Sequence, residues 1–545
     1  MPEYMSPGVY VEEVPSAVKP IAGVSTSTAC FLGIIPDDIN IPEENPNYDP
    51  TGKSKSDPKH PELDPRKRFI VKPFHFYSDA ELQLKRTAVK DAKSAKENLD
   101  KVRDEALEKK VAVDVKILTP FLTDAELDEA KTNKQTPEDY LLNKAKEKGV
   151  APEVYLTANL VKAIRKAEDE KIQADFPAAN MEPVLCTSFA QFTKRFGGFS
   201  DDGLGESSGD LRGKPPAHGF QNRLAHAVYG FFDNGGSRCY VMRFRTVDEL
   251  LEPSHLSVLD AFDEISLVAA PGITDKIVQQ NIIDHCAKLG SRFAILDPPE
   301  LPESSELTEE KIRMIESTDY GALYFPRIRV FDIAARLTRP DIEDPAKAGE
   351  IDNGEIWLGP SGHIAGIYSR VDHQRGVHKA PANEVVRGAL DLEFQISKND
   401  QDGLNPGGVN CIRYINNNIK VWGARTVGGD ANTDTKYINV RRTLIFLRES
   451  IDHGTQWVVF EPNDRALWAK IRLNVSAFLT TVWRDGALFG STPQEAFYVK
   501  CDDETNPREE RDLGRVTTEI GVAIVRPAEF VIFRISQWAG PEGQK

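Results

Sequence analysis

The stretch that decides the reading is Tyr437–Trp538. It opens YINVRRTLIFLRESIDHGTQWVVFEPNDRALWAKIRLNVSAFLTTVWRDGALFG (437–490) and closes GRVTTEIGVAIVRPAEFVIFRISQW (514–538). The pattern predicts a helix over Arg441–His453, ended by Gly454, and a buried strand at WVVFEP. Asn463 or Asp464 then caps a longer helix. In it Leu467, Ile471, Val475, Phe478, Leu479 and Val482 recur at i+3/i+4 spacing, which makes one face apolar. Gly486 ends that helix. FYVKCD and GVAIVRPAEFVIFRI read as strands, the latter joined at Arg526-Pro527.

The other end of the chain is a different object. PGVYVEEV (Pro7, Gly8, Val9, Tyr10, Val11, Glu12 and onward) alternates as a short strand bounded by Pro7 and Pro15, with no core of its own. Such a strand must pair either within its own subunit or with a neighbour's sheet edge. Gly23–Ile35 follows as a buried strand rich in small and β-branched residues.

Between the two ends the texture changes twice. Residues 37–181 are dense in Pro, Asp and Lys, then strongly charged and helical, with only a thin apolar stripe (Leu84, Val89, Ala92, Leu99). Thr123 with Glu126, and Thr136 with Asp139, have the spacing of N-terminal caps. This segment reads as a surface insertion whose charges face solvent. From Glu182 strands and helices alternate: EPVLCTS, a helix to Gly197-Gly198, a helix to Asn234, RCYVMRFR, SLVAAPG, a helix to Gly290, SRFAILDPP, a polar helix LTEEKIRMIEST and GALYFPRIRVFD. Residues 336–358 read as loop, and HIAGIYSRVDHQRG as helix. The fold class is therefore α/β and α+β multidomain, divided as 1–36, 37–181, 182–358 and 359–545.

Composition narrows the function. With 84 acidic against 68 basic residues and a formal charge of -16, the chain is a poor candidate for binding nucleic acid directly. Cys30, Cys186, Cys239, Cys286, Cys411 and Cys501 are far apart, without metal-ligand spacing, which suggests buried thiols in a reducing compartment. The N-terminus lacks the basic and apolar regions of a secretory signal, and no apolar run reaches bilayer length. The expectation is a soluble product folded in the cytoplasm, with no direct membrane contact. TGKS at 51–54 has Asn47 where a phosphate loop needs glycine. Gly203, Gly205 and Gly209 miss the dinucleotide spacing by one. GPSGH is not a nucleophile elbow. His363, His373 and His378 read as interface or capping residues more readily than as metal ligands. Trp457, Trp468, Trp483 and Trp538 read as core. No catalytic, cofactor-binding or metal-ligating set emerges.

Several of these stretches together resemble the contractile phage tail-sheath family. They are PEYMSPGVYVEEV with PIAGVSTSTACFLG, GFFDNGGSRCYVMR, SGHIAGIYSRVDHQRGVHKAPANEVVRGALDLE, LNPGGVNCIRY with VWGARTV, and nearly all of 437–535. The closest flavour is the sheath of phage-tail-like, extracellular contractile injection systems. The resemblance spans about residues 1–36 and 182–540 and leaves out the insertion.

It implies a non-enzymatic subunit, needing no cofactor, that stacks as rings around an inner tube and contracts to drive the tube through a target envelope. An inner domain would be built from both chain ends, with the insertion facing outward. Implied partners are neighbouring sheath subunits, the inner tube protein, and baseplate and terminal cap proteins. The particle would be assembled in the cytoplasm and then released or anchored. The implied strand linkage joins Pro7–Glu12 of one subunit to Val522, Ile524, Val525, Phe530 and Ile532 of another. Arg465, Lys470 and Arg472 are the candidate tube contacts. Two other readings compete. One is an enzyme of α/β hydrolase-like or carbohydrate-active type with an unrecognised site. The other is a binding module docking through the charged insertion.

Overall fold

A computed structural model describes, isolated positions apart, residues 20–49, 69–76, 115–156, 178–200, 219–333 and 355–534, with scattered positions from 87 to 104. Strand β1 (Ala29–Ile34) is buried throughout. β2 (Asp38–Glu44) and β3 (Phe69–His75) pair antiparallel within the insertion. Helices α1 (Asp124–Thr132) and α2 (Pro137–Lys148) follow. The Thr136 hydroxyl accepts from the Asp139 amide at 3.1 Å and donates to its carboxylate at 2.7 Å, which starts α2. Gly149, at φ +66°, stops it. Leu99, Leu118, Leu122, Tyr140, Leu141 and Leu156 form a small separate core there.

The insertion leaves and returns at one place. The Ile35 amide donates to Phe244 O, and the Met181 amide to Arg243 O, each at 2.8 Å. The buried Arg243 side chain pairs with Asp37 and stacks over the Phe76 ring at 4.0 Å. Burial raises the Asp37 pKa, but hydrogen bonds from Arg245 and Arg243 outweigh it and hold the carboxyl below its usual value.

The α/β part continues with β4 (Val184–Cys186), α3 (Phe189–Phe196), α4 (Gly219–Asp233), β5 (Cys239–Phe244), β6 (Leu267–Ala269), α5 (Lys276–Leu289), β7 (Phe293–Leu296), β8 (Gly321–Phe325) and β9 (Ile328–Phe331). Then come β10 (Glu355–Leu358), α6 (Ser361–Arg375), β11 (Glu384–Val385), β12 (Asp391–Leu392), β13 (Val409–Ile415) and β14 (Asn418–Val421). Nine strands make one sheet in the order β11-β14-β13-β8-β7-β6-β1-β5-β4. From β13 to β5 neighbours run parallel; β14, β11 and β4 are antiparallel at the edges. A parallel sheet needs cover on both faces. Alternate residues supply it. Phe31, Val241 and Ile295 join the side chains of α4 and α6, while Leu32, Met242 and Leu296 join those of α5.

Five expectations change. β1 stands in the middle of this sheet, not beside the C-terminal strands. The sheet also crosses the expected 358/359 boundary, since β11, β13 and β14 lie beyond it. GALYFPRIRVFD is two strands divided at Pro326, whose nitrogen has no hydrogen to give to a ladder. The polar helix shrinks to Glu309–Ile312, and the loop expected over 336–358 contains β10 at its end.

Helices α4 and α6 approach so closely that side chains are excluded between them. A Cβ on Gly362 would lie 2.3 Å from Ala227 O, and one on Gly366 2.4 Å from Phe231 O. Gly366→Ala is expected to destabilise the dissociated subunit by about 1–3 kcal/mol in urea unfolding. Gly403→Ala, where nothing lies within 4 Å, should be neutral or slightly stabilising.

Candidate assembly interface

The C-terminal unit is built by α7 (Ile438–Thr455), α8 (Arg465–Arg484), β15 (Phe497–Lys500) and β16 (Glu519–Val522). Asp464 caps α8 by accepting from the Leu467 amide at 2.8 Å. Leu467, Trp468, Ile471, Val475, Phe478, Leu479 and Val482 are buried on one face, as their spacing predicts. WVVFEP is not a strand. Gln456–Val458 is a single tight turn, and Val459 and Phe460 are exposed, the latter at φ +68°. The nearby Asn463 and Asp464 are engaged in starting α8, so the chain turns into the helix instead of extending. α7 is longer than expected and carries through Gly454, against which Ile21 packs. The Val24 amide donates to Ser450 Oγ at 3.1 Å, so the segment leading into β1 runs along α7.

β15 and β16 form a two-stranded antiparallel sheet. Val522 pairs with Phe497, Ile524 bridges Leu488, and the Val525 amide donates to Ala487 O at 3.2 Å. These three linkage candidates are thus already paired along one side within their own subunit. Among the described residues the outer edges of β15 and β16 are unpaired. The second strand expected in GVAIVRPAEFVIFRI does not form, because after Val525 the chain leaves the sheet. Phe530 and Ile532 are exposed, together with Val531 and Phe533. Pro7, Gly8, Val9, Tyr10, Val11 and Glu12 lie outside the described residues, as do TGKS, Gly203–Gly209, Thr123 and Trp538.

Between the sheet and the apolar run, Glu529 turns inward. It accepts from Arg425 Nε at 2.8 Å and Nη2 at 2.9 Å, from Asn405 Nδ2 at 2.7 Å and from the Tyr437 hydroxyl at 2.9 Å. Burial raises its pKa, but these bonds and the guanidinium charge together hold it below the usual carboxylate value. Nothing local marks this socket in the sequence.

A second polar seam joins the C-terminal unit to the sheet. Arg442 on α7 pairs with Asp372 on α6, with one contact at 3.0 Å. Thr26 Oγ1 donates to Asp372 at 2.6 Å, and the guanidinium lies 4.6 Å above the Tyr368 ring. Beside this seam a cavity of about 290 Å³ is lined by Val24, Phe293, Ile445 and Phe446 among others.

The basic candidates on α8 do not converge. Arg465 is exposed and pairs with Asp503 at 2.9 Å, and Lys470 is exposed. Arg472 is half-buried and donates to Cys501 O. At about 100° per residue, Lys470 points roughly 140° away from Arg465. The histidines do not converge either: His363 is buried, His373 exposed, and His378 half-buried. Among the described residues no group of three or more His, Cys, Asp or Glu is placed to hold a metal ion, and no helix is long and apolar enough to cross a membrane. The six cysteines are buried free thiols.

Open sheet edges and an exposed apolar segment, mounted on a scaffold fixed by buried polar seams, are the features of a structural subunit. Comparison with known proteins agrees. The model of the phage tail sheath protein central domain matches residues 250–427, and that of the phage tail sheath C-terminal domain matches 430–537. Together they take in more than half of the chain, which belongs to the phage tail sheath family. The tail sheath protein of Burkholderia phage BcepMu is 26% identical over 222 residues, 39% of this chain and 42% of that one. The chain thus aligns with less than half the length of that curated relative.

Solved structures align further. A chain of the anti-feeding prophage baseplate is 27% identical, with TM-score 0.51, over 66% of this chain and 88% of that one. The contracted PVC sheath complex of an extracellular contractile injection system is 26% identical, with TM-score 0.52, over 66% and 88%. The contracted helical sheath of the anti-feeding prophage is 26% identical, with TM-score 0.50, over 66% and 89%.

Two buried histidines make stability depend on pH. Burial pushes His363 down to about 3, with His226 adding to it, and burial with the adjacent Arg292 pushes His285 down to about 4. Below the usual value of 6.5 the unfolded chain takes up protons that the folded chain refuses, so stability falls as pH drops. Urea unfolding should show stability declining from about pH 6.5 towards pH 4, and His363→Asn should flatten that decline by about one proton.

Proposed function

We propose that this chain is the structural subunit of a contractile sheath. It polymerises as stacked rings around an inner tube and shortens to drive the tube through a target envelope. The observation that carries this reading is the likeness to contracted injection-system sheaths at 26% identity over 66% of the chain, joined to membership of the tail sheath family. The role is non-enzymatic. Work comes from new contacts between subunits, with interfaces that have two stable arrangements.

In this reading the C-terminal unit and the 20–26 segment packed on α7 form the inner part, and the 37–181 insertion is carried outward. Neighbours are joined by strand addition, the arm around Pro7–Glu12 of one copy pairing at the open edge beside Val522–Val525 of another. Phe530 and Ile532 add apolar contacts. Arg465 and Lys470, exposed on α8, are the proposed tube contacts. Arg472, bonded to Cys501 O, instead fixes the junction of α8 with the β15 sheet. Baseplate and cap proteins would bind the ends of the polymer, which is assembled in the cytoplasm.

Negative-stain microscopy of the purified chain is expected to show long striated tubes. A chain that stays monomeric at high concentration overturns the reading. Deleting Met1–Val14 should leave a folded subunit that forms no tubes; tubes from that variant rule out arm exchange.

A further inference from the structure

We propose that Glu529 is a positioning residue for assembly: clamped by Arg425, Asn405 and Tyr437, it fixes the point from which Phe530–Phe533 reach a neighbouring copy of this chain. The inference rests on the sheath reading for its partner, but the clamp itself is a property of the single subunit.

Pairing of the C-terminal strand ends at Val525, whose carbonyl accepts from Asn439 Nδ2 at 3.1 Å. Arg526 and Ala528 are exposed, Glu529 is turned inward, and each residue from Phe530 to Arg534 is exposed again. Glu529 is thus the last point at which the described chain is held to its own subunit. It is held firmly, by four hydrogen bonds from three side chains that stand on three separate segments. The planar guanidinium meets the carboxylate in a two-point contact, which fixes direction as well as distance.

The socket has contacts of its own besides the carboxylate. Arg425 is 4% exposed, and its Nη1 donates to Asn405 O at 3.1 Å and to Asp430 at 3.0 Å. Its backbone amide donates to Asn410 Oδ1 at 2.7 Å. Removing the charge of Glu529 therefore leaves the guanidinium partnered by Asp430, and the sheet and helices keep every other contact. Only the arm gains freedom. Four residues, Arg526 to Glu529, would then move with it, lengthening its reach by up to about 13 Å. That freedom has to be lost again whenever the arm docks, which weakens association without altering the docking surface.

The test uses the full chain and the Glu529→Gln variant, with Tyr437→Phe as a milder second change that removes one hydroxyl. In the dissociated subunit, hydrogen exchange at the amides of Ala523 and Val525, bonded to Ala496 O at 2.8 Å and Ala487 O at 3.2 Å, should rise in Glu529→Gln as the strand end loses its anchor, while that of β13 and β14 stays the same. The critical concentration for tubes should rise at least tenfold in Glu529→Gln and about threefold in Tyr437→Phe, with unchanged thermal midpoints for the subunit. If Glu529→Gln does not fold, Tyr437→Phe decides alone. Unchanged exchange at Ala523 and Val525 overturns the clamp, and a raised exchange with unchanged critical concentration overturns its role in assembly. If the unaltered chain forms no tubes, the sheath reading falls and the assembly role with it, while the exchange result still decides whether the clamp exists.

Discussion

Arg442 and Asp372 face each other with side chains only 3% and 5% exposed, and the relation between the two halves of the molecule depends on them. Three parts of the chain meet at this pair: the segment entering β1 through Thr26, α6 through Asp372, and α7 through Arg442. Withdrawing two charges from water costs several kcal/mol for each ion, and good geometry only offsets it. Here the offset comes from the two-point contact, the Thr26 hydroxyl and carbonyl, and the Tyr368 ring. Net stabilisation from such a pair is small. Its loss on one side strands a buried charge, at about 3–5 kcal/mol. The pair therefore selects one seating of α7 on the sheet, and α7 carries the rest of the C-terminal unit with it.

The division of labour follows from where apolar surface is spent. The nine-stranded sheet is covered on both faces, and α4 and α6 pack at glycine contact, so that part has little room to deform. The C-terminal unit has its own smaller core around α8. Polar seams at Arg442 and Asn439 join the two. Seams made of directional bonds define discrete arrangements, where a broad greasy contact would slide. That suits the two-state sheath subunit proposed above.

What was legible in the sequence was local. The apolar face of α8, its Asp464 cap and the Thr136 cap of α2 follow from spacing and side-chain chemistry within one or two turns. WVVFEP departs from the strand that its β-branched and aromatic residues favour, because the adjacent helix start at Asn463 and Asp464 competes for the same chain. The place of β1 in the sheet was not legible, because pairing between distant strands leaves no local trace. The role of Glu529 leaves no local trace for the same reason: its partners Tyr437, Arg425 and Asn405 lie 92, 104 and 124 positions away.

The exposed run after Glu529 bears on where the energy of assembly comes from. Phe530, Val531, Ile532 and Phe533 are 68–84% exposed, a costly arrangement for a subunit meant to remain alone. Covering one such side chain is worth roughly 1.5–3 kcal/mol, so the four together offer about 6–12 kcal/mol per subunit before the cost of ordering them. A single neighbour gained in this way is a modest association. In a closed ring stacked on others every copy makes and receives the same contact, and the terms add along the polymer. The clamp at Glu529 fixes the point at which this apolar segment leaves its own subunit. In the sheath reading the same carboxylate thus sets where the surface that assembly covers is presented.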